Sequence, residues 1–123
     1  MIIKIDFNSN EAIYIQLCNQ IILGIATSQL HEGDPLPSVR QMAETLGINM
    51  HTVNKAYAVL RQEGFIRLDR RSGAVIAVDM DRIKARNNLK MQMRILLAQS
   101  RCKGLTRREV HELIDEIFEE YIE

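Results

Sequence analysis

The sequence predicts a mostly helical chain that carries one small β-hairpin. Three observations predict it. Two short amphipathic runs flank a Gly-Ile-Asn turn between Pro35 and Leu60. A stretch from Phe65 to Val78 is apolar at both ends and basic with glycine in the middle. Two further apolar repeats at helical spacing follow Asp81. The chain has 123 residues, near the usual size of one domain, which suggests residues 1–79 as a first domain, residues 80–123 as an appendage, and no room for a large sensing domain.

Taken in order, Ile2, Ile3 and Ile5 alternate with Lys4 and Asp6, the pattern of a short strand or arm. Asn10 is placed to cap a helix running to about Gln29, with Ile13, Leu17, Ile21 and Ile25 on one face. Tyr14 and Gln16 fall on other faces and read as packing or dimer residues. His31, Glu32, Gly33 and Asp34 form a loop. The next helix opens at Ser38, which with Gln41 three residues on makes a capping-box signature, and Pro37 discourages an earlier start. Val39, Met42, Ala43 and Leu46 share a face, and Gly47 ends the run where a left-handed residue is needed.

Asn49 can cap the following helix, in which Val53, Ala56, Tyr57 and Leu60 cluster on one side at about 100° per residue. His51, Lys55, Ala58 and Gln62 then point the other way, flanked by Thr52 and Asn54. Two short helices around a tight turn, the second with a polar face uncovered, are how a helix-turn-helix reads DNA. Asn pairs with adenine edges, Lys with guanine acceptors or phosphate, and Thr with phosphate or a thymine methyl. An ordinary helical hairpin with a solvated polar face is the alternative.

Gly64 closes that helix, and Phe65 to Val78 reads as a hairpin whose tip, Asp69 to Gly73, carries Arg70 and Arg71 beside a flexible glycine. Such a tip can lie along a phosphate backbone or enter a minor groove. A surface hairpin with solubilising charges is the bland reading, but directly after a helix-turn-helix a basic hairpin reads as a wing. Asp81 can cap a long helix to about Cys102 with Leu89, Met93, Leu96 and Leu97 as its stripe. Gly104 breaks it. Thr106 with Glu109 is a second capping box, opening a helix in which Val110, Leu113, Ile114, Ile117, Phe118, Tyr121 and Ile122 repeat to the end. These two helices offer more apolar surface than an exposed pair can hide, which suggests a dimerisation hairpin; folding back on the first domain is the other option.

Net charge is formally zero, which argues against nucleic acid until the distribution is read. From Arg82 to Arg108 there are nine basic residues and no acidic one, and from Glu109 to Glu123 seven acidic residues and no basic one. Opposed blocks of this kind suggest helices that attract each other, within a chain or across a dimer, while the basic one could equally be a solvated face or touch DNA.

The chain resembles the GntR family of bacterial winged helix transcription regulators. The matching residues are Gly33, Leu36-Pro37-Ser38 with Arg40, Ala43, Leu46-Gly47, Thr52-Val53, Ala56-Tyr57, Leu60, Glu63-Gly64 and Gly73. Asp6, Ala12-Ile13-Tyr14 with Gln16, and Asn49 before Thr52 resemble the YtrA-type subfamily in particular. The resemblance covers residues 6 to about 78, and beyond them extends to an architecture of two C-terminal helices. It implies a homodimer on a palindromic operator in double-stranded DNA, with Ser38, Arg40 and Thr52 holding phosphates and the start of the second helix reading bases. Met50 stands where many members have Arg and the YtrA type often has Pro, so a common base contact is missing or has moved to His51 and Asn54. Arg71 replaces a usual wing glycine, and Ala74-Val75 replace the customary Thr-Phe.

The residues suggested for DNA are therefore Ser38, Arg40, Asn49, His51, Thr52, Asn54, Lys55, Arg70, Arg71 and Gly73. No enzyme, cofactor or metal is expected. Cys18 and Cys102 form no CxxC and read as reduced thiols of a cytoplasmic protein, and His31, His51 and His111 lack the i, i+4 spacing of paired ligands. No phosphate-binding glycine loop follows a strand, the apolar runs are too short to span a bilayer, and the start lacks the marks of a signal peptide. The expected function is a sequence-specific regulator, most naturally a repressor. Competing readings are a winged helix used for protein contacts, or a regulator whose DNA binding is controlled by a small ligand in the dimer groove.

Overall fold

The computed structural model describes residues 2–121. The chain divides into two compact units, Met1–Asp79 and Met80–Glu123. The first contains α1 (Ile13–Ala26), α2 (Val39–Leu46), α3 (Met50–Gln62), β1 (Ile66–Asp69) and β2 (Gly73–Ile76); the second contains α4 (Arg82–Cys102) and α5 (Arg107–Glu120). This is the mostly helical winged arrangement predicted from the sequence.

α3 is the centre of the first unit, with α1 and α2 packed against it and β1 following directly. Its inward residues Val53, Ala56, Tyr57 and Leu60 meet Leu17 and Ile21 of α1, Met42 and Ala43 of α2, and Ile66 and Ile76 of the hairpin. Leu17, Ile21, Val53, Leu60 and Ile76 are wholly inside. Each fully buried aliphatic side chain is worth about 1.5–3 kcal/mol in transfer from water, so this cluster is what sets the position of α3. Two polar contacts refine it. The Tyr57 hydroxyl donates to the Pro37 carbonyl at 2.8 Å, tying α3 to the start of α2, and the Cys18 thiol contacts the Ala56 carbonyl at 3.4 Å.

Burial pushes the Tyr57 hydroxyl up to about 12. It also raises the Cys18 thiol, with the nearby Glu63 charge as a second cause. Folding thus favours the protonated form of both. Their contribution to stability is complete below the unfolded values and is lost as pH climbs through the folded ones. The thermal midpoint is therefore expected to hold up to about pH 9, the ordinary thiol value, and then to fall towards pH 12. Tyr57→Phe, which removes one ionisation, should flatten the upper part of that fall in a thermal-melt series.

The N-terminal region departs from expectation. Asn10 does not cap α1; the N-cap is Ala12, with no side-chain hydrogen bond. Residues 6–11 instead form turns, in which the Ser9 amide donates to the Asp6 carbonyl and the Glu11 amide to the Ser9 hydroxyl. Gln16 holds them: its carbonyl accepts from the Asp6 amide at 2.9 Å and its NH2 donates to Glu11 and Asp6 carbonyls. Gln16 is thus a buried packing residue of its own chain, 8% exposed. α1 stops at Ala26 rather than Gln29 because the amides of Gln29 and Leu30 both turn back to the Gly24 carbonyl and Ser28 enters the left-handed region. Among the described residues the isoleucine-rich start forms no strand; Gln20 pins Lys4 from both sides, its carbonyl accepting from the Lys4 amide and its NH2 donating to the Lys4 carbonyl.

The hairpin pairs antiparallel from Ile66↔Ile76 to Asp69↔Gly73. β2 is shorter than the apolar run to Val78, whose amide donates instead to Glu32 at 3.1 Å. The loop at Gly33–Leu36 is more than a connector. Pro35 bridges Val75, and the amides of Gly33, Leu36 and Ile76 donate across the two segments to the carbonyls of Ile76, Ala74 and Asp34, respectively, at 2.7–2.9 Å. Two prolines around one leucine gave no alternation from which that third extended segment could be read.

In the second unit Asp81 caps α4 and Thr106 with Glu109 forms a capping box on α5. Neither helix contains a buried residue. Among the described residues no ion pair joins α4 to α5; Arg108 pairs with Glu112 of its own helix at 3.4 Å. Ile122, counted in the apolar repeat, lies outside the described residues. Among them no helix is long and apolar enough to cross a membrane.

Candidate nucleic-acid interface

The turn between α2 and α3 is built by local chemistry. The Gln41 amide donates to the Ser38 hydroxyl at 3.1 Å and the Gln41 side chain reaches back to the Ser38 amide, completing the box. Gly47 adopts φ 68° and ends α2, and the Asn49 side chain accepts from the His51 amide at 2.7 Å to start α3. Neither helix carries an acidic residue in its first turn. The partial positive charge of both N-termini is therefore left for an external anion, which suits a phosphate backbone.

The suggested contact residues lie in three groups. Ser38 and Arg40 are exposed at the start of α2. Asn49, His51, Asn54 and Lys55 are exposed and Thr52 half-buried along the first half of α3. Arg70, Arg71 and Gly73 are exposed at the hairpin tip. Among the described residues no hydrogen bond or ion pair links one group to another. Ser38 and Asn49 serve first as caps: the Ser38 hydroxyl keeps its proton to donate, and Asn49 keeps its NH2 group.

Two features were not read in the sequence. The Lys55 ammonium lies 4.1 Å from the centre of the Tyr14 ring, a cation–π contact that ties the middle of α3 to the start of α1. Forty-one positions separate the two residues, so no local pattern announces the pair. At the wing, the Asp69 carboxylate accepts from the amides of Arg71 and, more weakly, Ser72, which hold it below the ordinary carboxylate range and shape the tip. The tip is thus less positive than its two arginines suggest, although Arg67 on β1 adds an exposed cation.

Residues 1–79 contain seven Lys and Arg against eight Asp and Glu. Bulk attraction for a polyanion is accordingly weak, so binding here depends on placed contacts rather than on overall charge. Among the described residues no group of three His, Cys, Asp or Glu side chains could hold a metal ion. Cys18 is buried and Cys102 exposed, both free.

Comparison with known proteins agrees with this geometry. The model of the family described as bacterial regulatory proteins, gntR family, matches residues 10–76. The chain is 32% identical to the HTH-type transcriptional repressor YtrA of Bacillus subtilis (strain 168) over 94% of this chain and 91% of that protein. It is similar to the structure of YtrA from Sulfolobus acidocaldarius, a GntR-family transcription factor, at 44% identity and TM-score 0.68, covering 80% of this chain and 99% of that one. It is also similar to a structure from Listeria monocytogenes EGD-e described as a transcriptional antiterminator, at 28% identity and TM-score 0.81, covering 98% and 92%.

Proposed function

This chain belongs to the GntR family of bacterial regulatory proteins, among its YtrA-like members, and from that premise we propose that two copies of it bind a palindromic operator as a transcriptional repressor. The chain is a DNA-binding transcription regulator, not an enzyme. The observation that carries the finer reading is the outward face of α3. It is polar from His51 to Gln62, includes Lys55, and has no carboxylate, while the opposite face is locked into the core. A protein-docking surface would offer apolar or acidic groups there instead.

In this reading Ser38, Arg40 and Thr52 hold phosphates beside the two open helix N-termini, and His51 and Asn54 address base edges in the major groove. Lys55, whose ammonium rests over the Tyr14 ring, is assigned to phosphate rather than to a base edge. Arg70, Arg71 and Gly73 extend contact beyond the major groove through the wing. The apolar hairpin of α4 and α5 supplies the second copy and sets the two α3 helices about 34 Å apart, one turn of the duplex.

The test is selection of bound sequences from random duplexes at a fixed salt concentration. A symmetric motif with half-sites one helical turn apart is expected, and no enriched motif would overturn the reading. His51→Ala or Asn54→Ala should then relax preference at one position per half-site by about 1–3 kcal/mol. Arg40→Ala should weaken all duplexes alike and reduce the slope of log affinity against log salt by about 0.9 for each phosphate that is no longer neutralised.

A further inference from the structure

We infer that Met50, the first residue of α3, reads the 5-methyl group of a thymine in each half-site. This rests on the DNA-binding reading above and adds a base that its polar readers do not select. Three observations lead there. First, Met50 is 44% exposed, and among the described residues it is the only exposed large apolar side chain on α2 or α3. Val39, Leu46, Ile48 and Val59 of the same two-helix motif all pack against the core, and Met50 does not. Second, its place does not depend on its own packing. Asn49 before it caps the helix by accepting from the His51 amide, and Val53, three residues on, is wholly inside. Third, at about 100° per residue Met50 and Asn54 fall on one edge of the outward face, with His51 beside them nearer its middle.

A single apolar side chain on an ordinary surface needs no explanation. On a reader it does. In the proposed complex the first turn of α3 enters the major groove, so the methionine is dehydrated there whatever it meets. Against the amino groups and ring acceptors of adenine, guanine or cytosine it would leave hydrated polar edges covered and unpaired, which is costly. The groove offers one apolar group, the 5-methyl of thymine. An unbranched, polarizable thioether fits itself to such a group without demanding one rotamer. Asn54 pairs best with an adenine edge, so the two side chains together describe a short element rich in A·T pairs. Their separation of four residues, about 6 Å along the axis, places the methyl within about two base-pair steps of that adenine, at about 3.4 Å per step.

The experiment uses the full chain and the palindromic duplex obtained by the selection described above. Each symmetric pair of thymines is replaced in turn by deoxyuridine, which keeps every hydrogen-bonding group and lacks only the methyl. One such pair should weaken binding of the parent about fifteenfold, from about fourfold for each methyl, the value of one buried CH2 group, and the other pairs should change affinity less than about twofold. Met50→Ala, whose side chain ends at Cβ, should bind the unmodified duplex about as weakly as the parent binds that deoxyuridine duplex, and should no longer tell the two apart. Met50→Leu, which stays apolar, should keep the discrimination. Both variants should melt with the parent, because Met50 lies outside the core. A parent insensitive to deoxyuridine at every position of the motif, or a Met50→Ala variant as sensitive as the parent, would overturn the assignment while leaving His51, Asn54 and the operator reading in place. A parent that selects no motif would remove that reading and this inference with it.

Discussion

Gly64→Val is expected to lower the stability of the first unit by about 3 kcal/mol or more, because left-handed strain of about 1–2 kcal/mol is joined by a steric clash. Gly64 follows α3 at φ 81°, where its amide donates to the Arg61 carbonyl and the next amide, of Phe65, to the Leu60 carbonyl. This is the paired-bond ending that turns a helix sharply into the next segment. A Cβ placed there would sit 2.8 Å from the Asp79 Cβ, while the Asp79 amide donates to the Gly64 carbonyl at 2.7 Å. The clash is with an atom fixed to the backbone, so it is relieved only by moving the chain. Gly73→Ala supplies the control: φ is 73° but nothing lies within 4 Å of the added carbon, so only the strain of about 1 kcal/mol remains. In thermal melts Gly73→Ala should shift the midpoint by a few degrees and Gly64→Val by about 12 °C or more, at about 4–8 °C per kcal/mol for a unit this size. Equal shifts would show that the Asp79 contact carries no energy. The effect reaches function because the same turn aims the wing relative to α3.

What could be read from the sequence was whatever is decided locally. The capping boxes at Ser38 and Thr106, the left-handed glycines at 47 and 104 and the Asp81 cap each involve residues within four positions of each other, and each stands in the structure where the residue types put it. The inward face of α3 was legible for the same reason, since periodicity of one helix is a local property. What was hidden depends on partners far along the chain. Gln16 cancels the need for an Asn10 cap by holding the turns itself, Pro35 joins a strand only because Val75 arrives beside it, and Lys55 is drawn over a ring that belongs to another helix. The suggested contact residues divide along the same line: their exposure on α3 followed from the pattern, whereas the restraint on Lys55 and the negative charge built into the wing tip by Asp69 needed the fold.

Leu113→Asp with Ile117→Asp should leave each chain folded yet reduce affinity for the full palindrome by about 10²–10⁴-fold, the range gained when a second binding event becomes intramolecular. Both side chains are exposed, at 47% and 39%, so the substitution removes little from the core of a single copy. In the proposed dimer the same positions would lie in the apolar seam, and two unpaired carboxylates from each copy would have to be desolvated there, which disfavours association strongly. Binding to an isolated half-site, by contrast, would in the proposed reading draw only on the first unit, through Ser38, Arg40, α3 and the wing, and is expected to be unchanged. That pairing of outcomes separates the hairpin from the reader. Arg40→Ala weakens palindrome and half-site together and alters the salt slope, whereas the hairpin variant acts on the palindrome alone and should be bypassed at protein concentrations high enough to fill both half-sites independently. If the hairpin variant kept parental affinity for the palindrome, the two α3 helices would have to be joined by some other surface, and the exposed stripes of α4 and α5 would need a different partner.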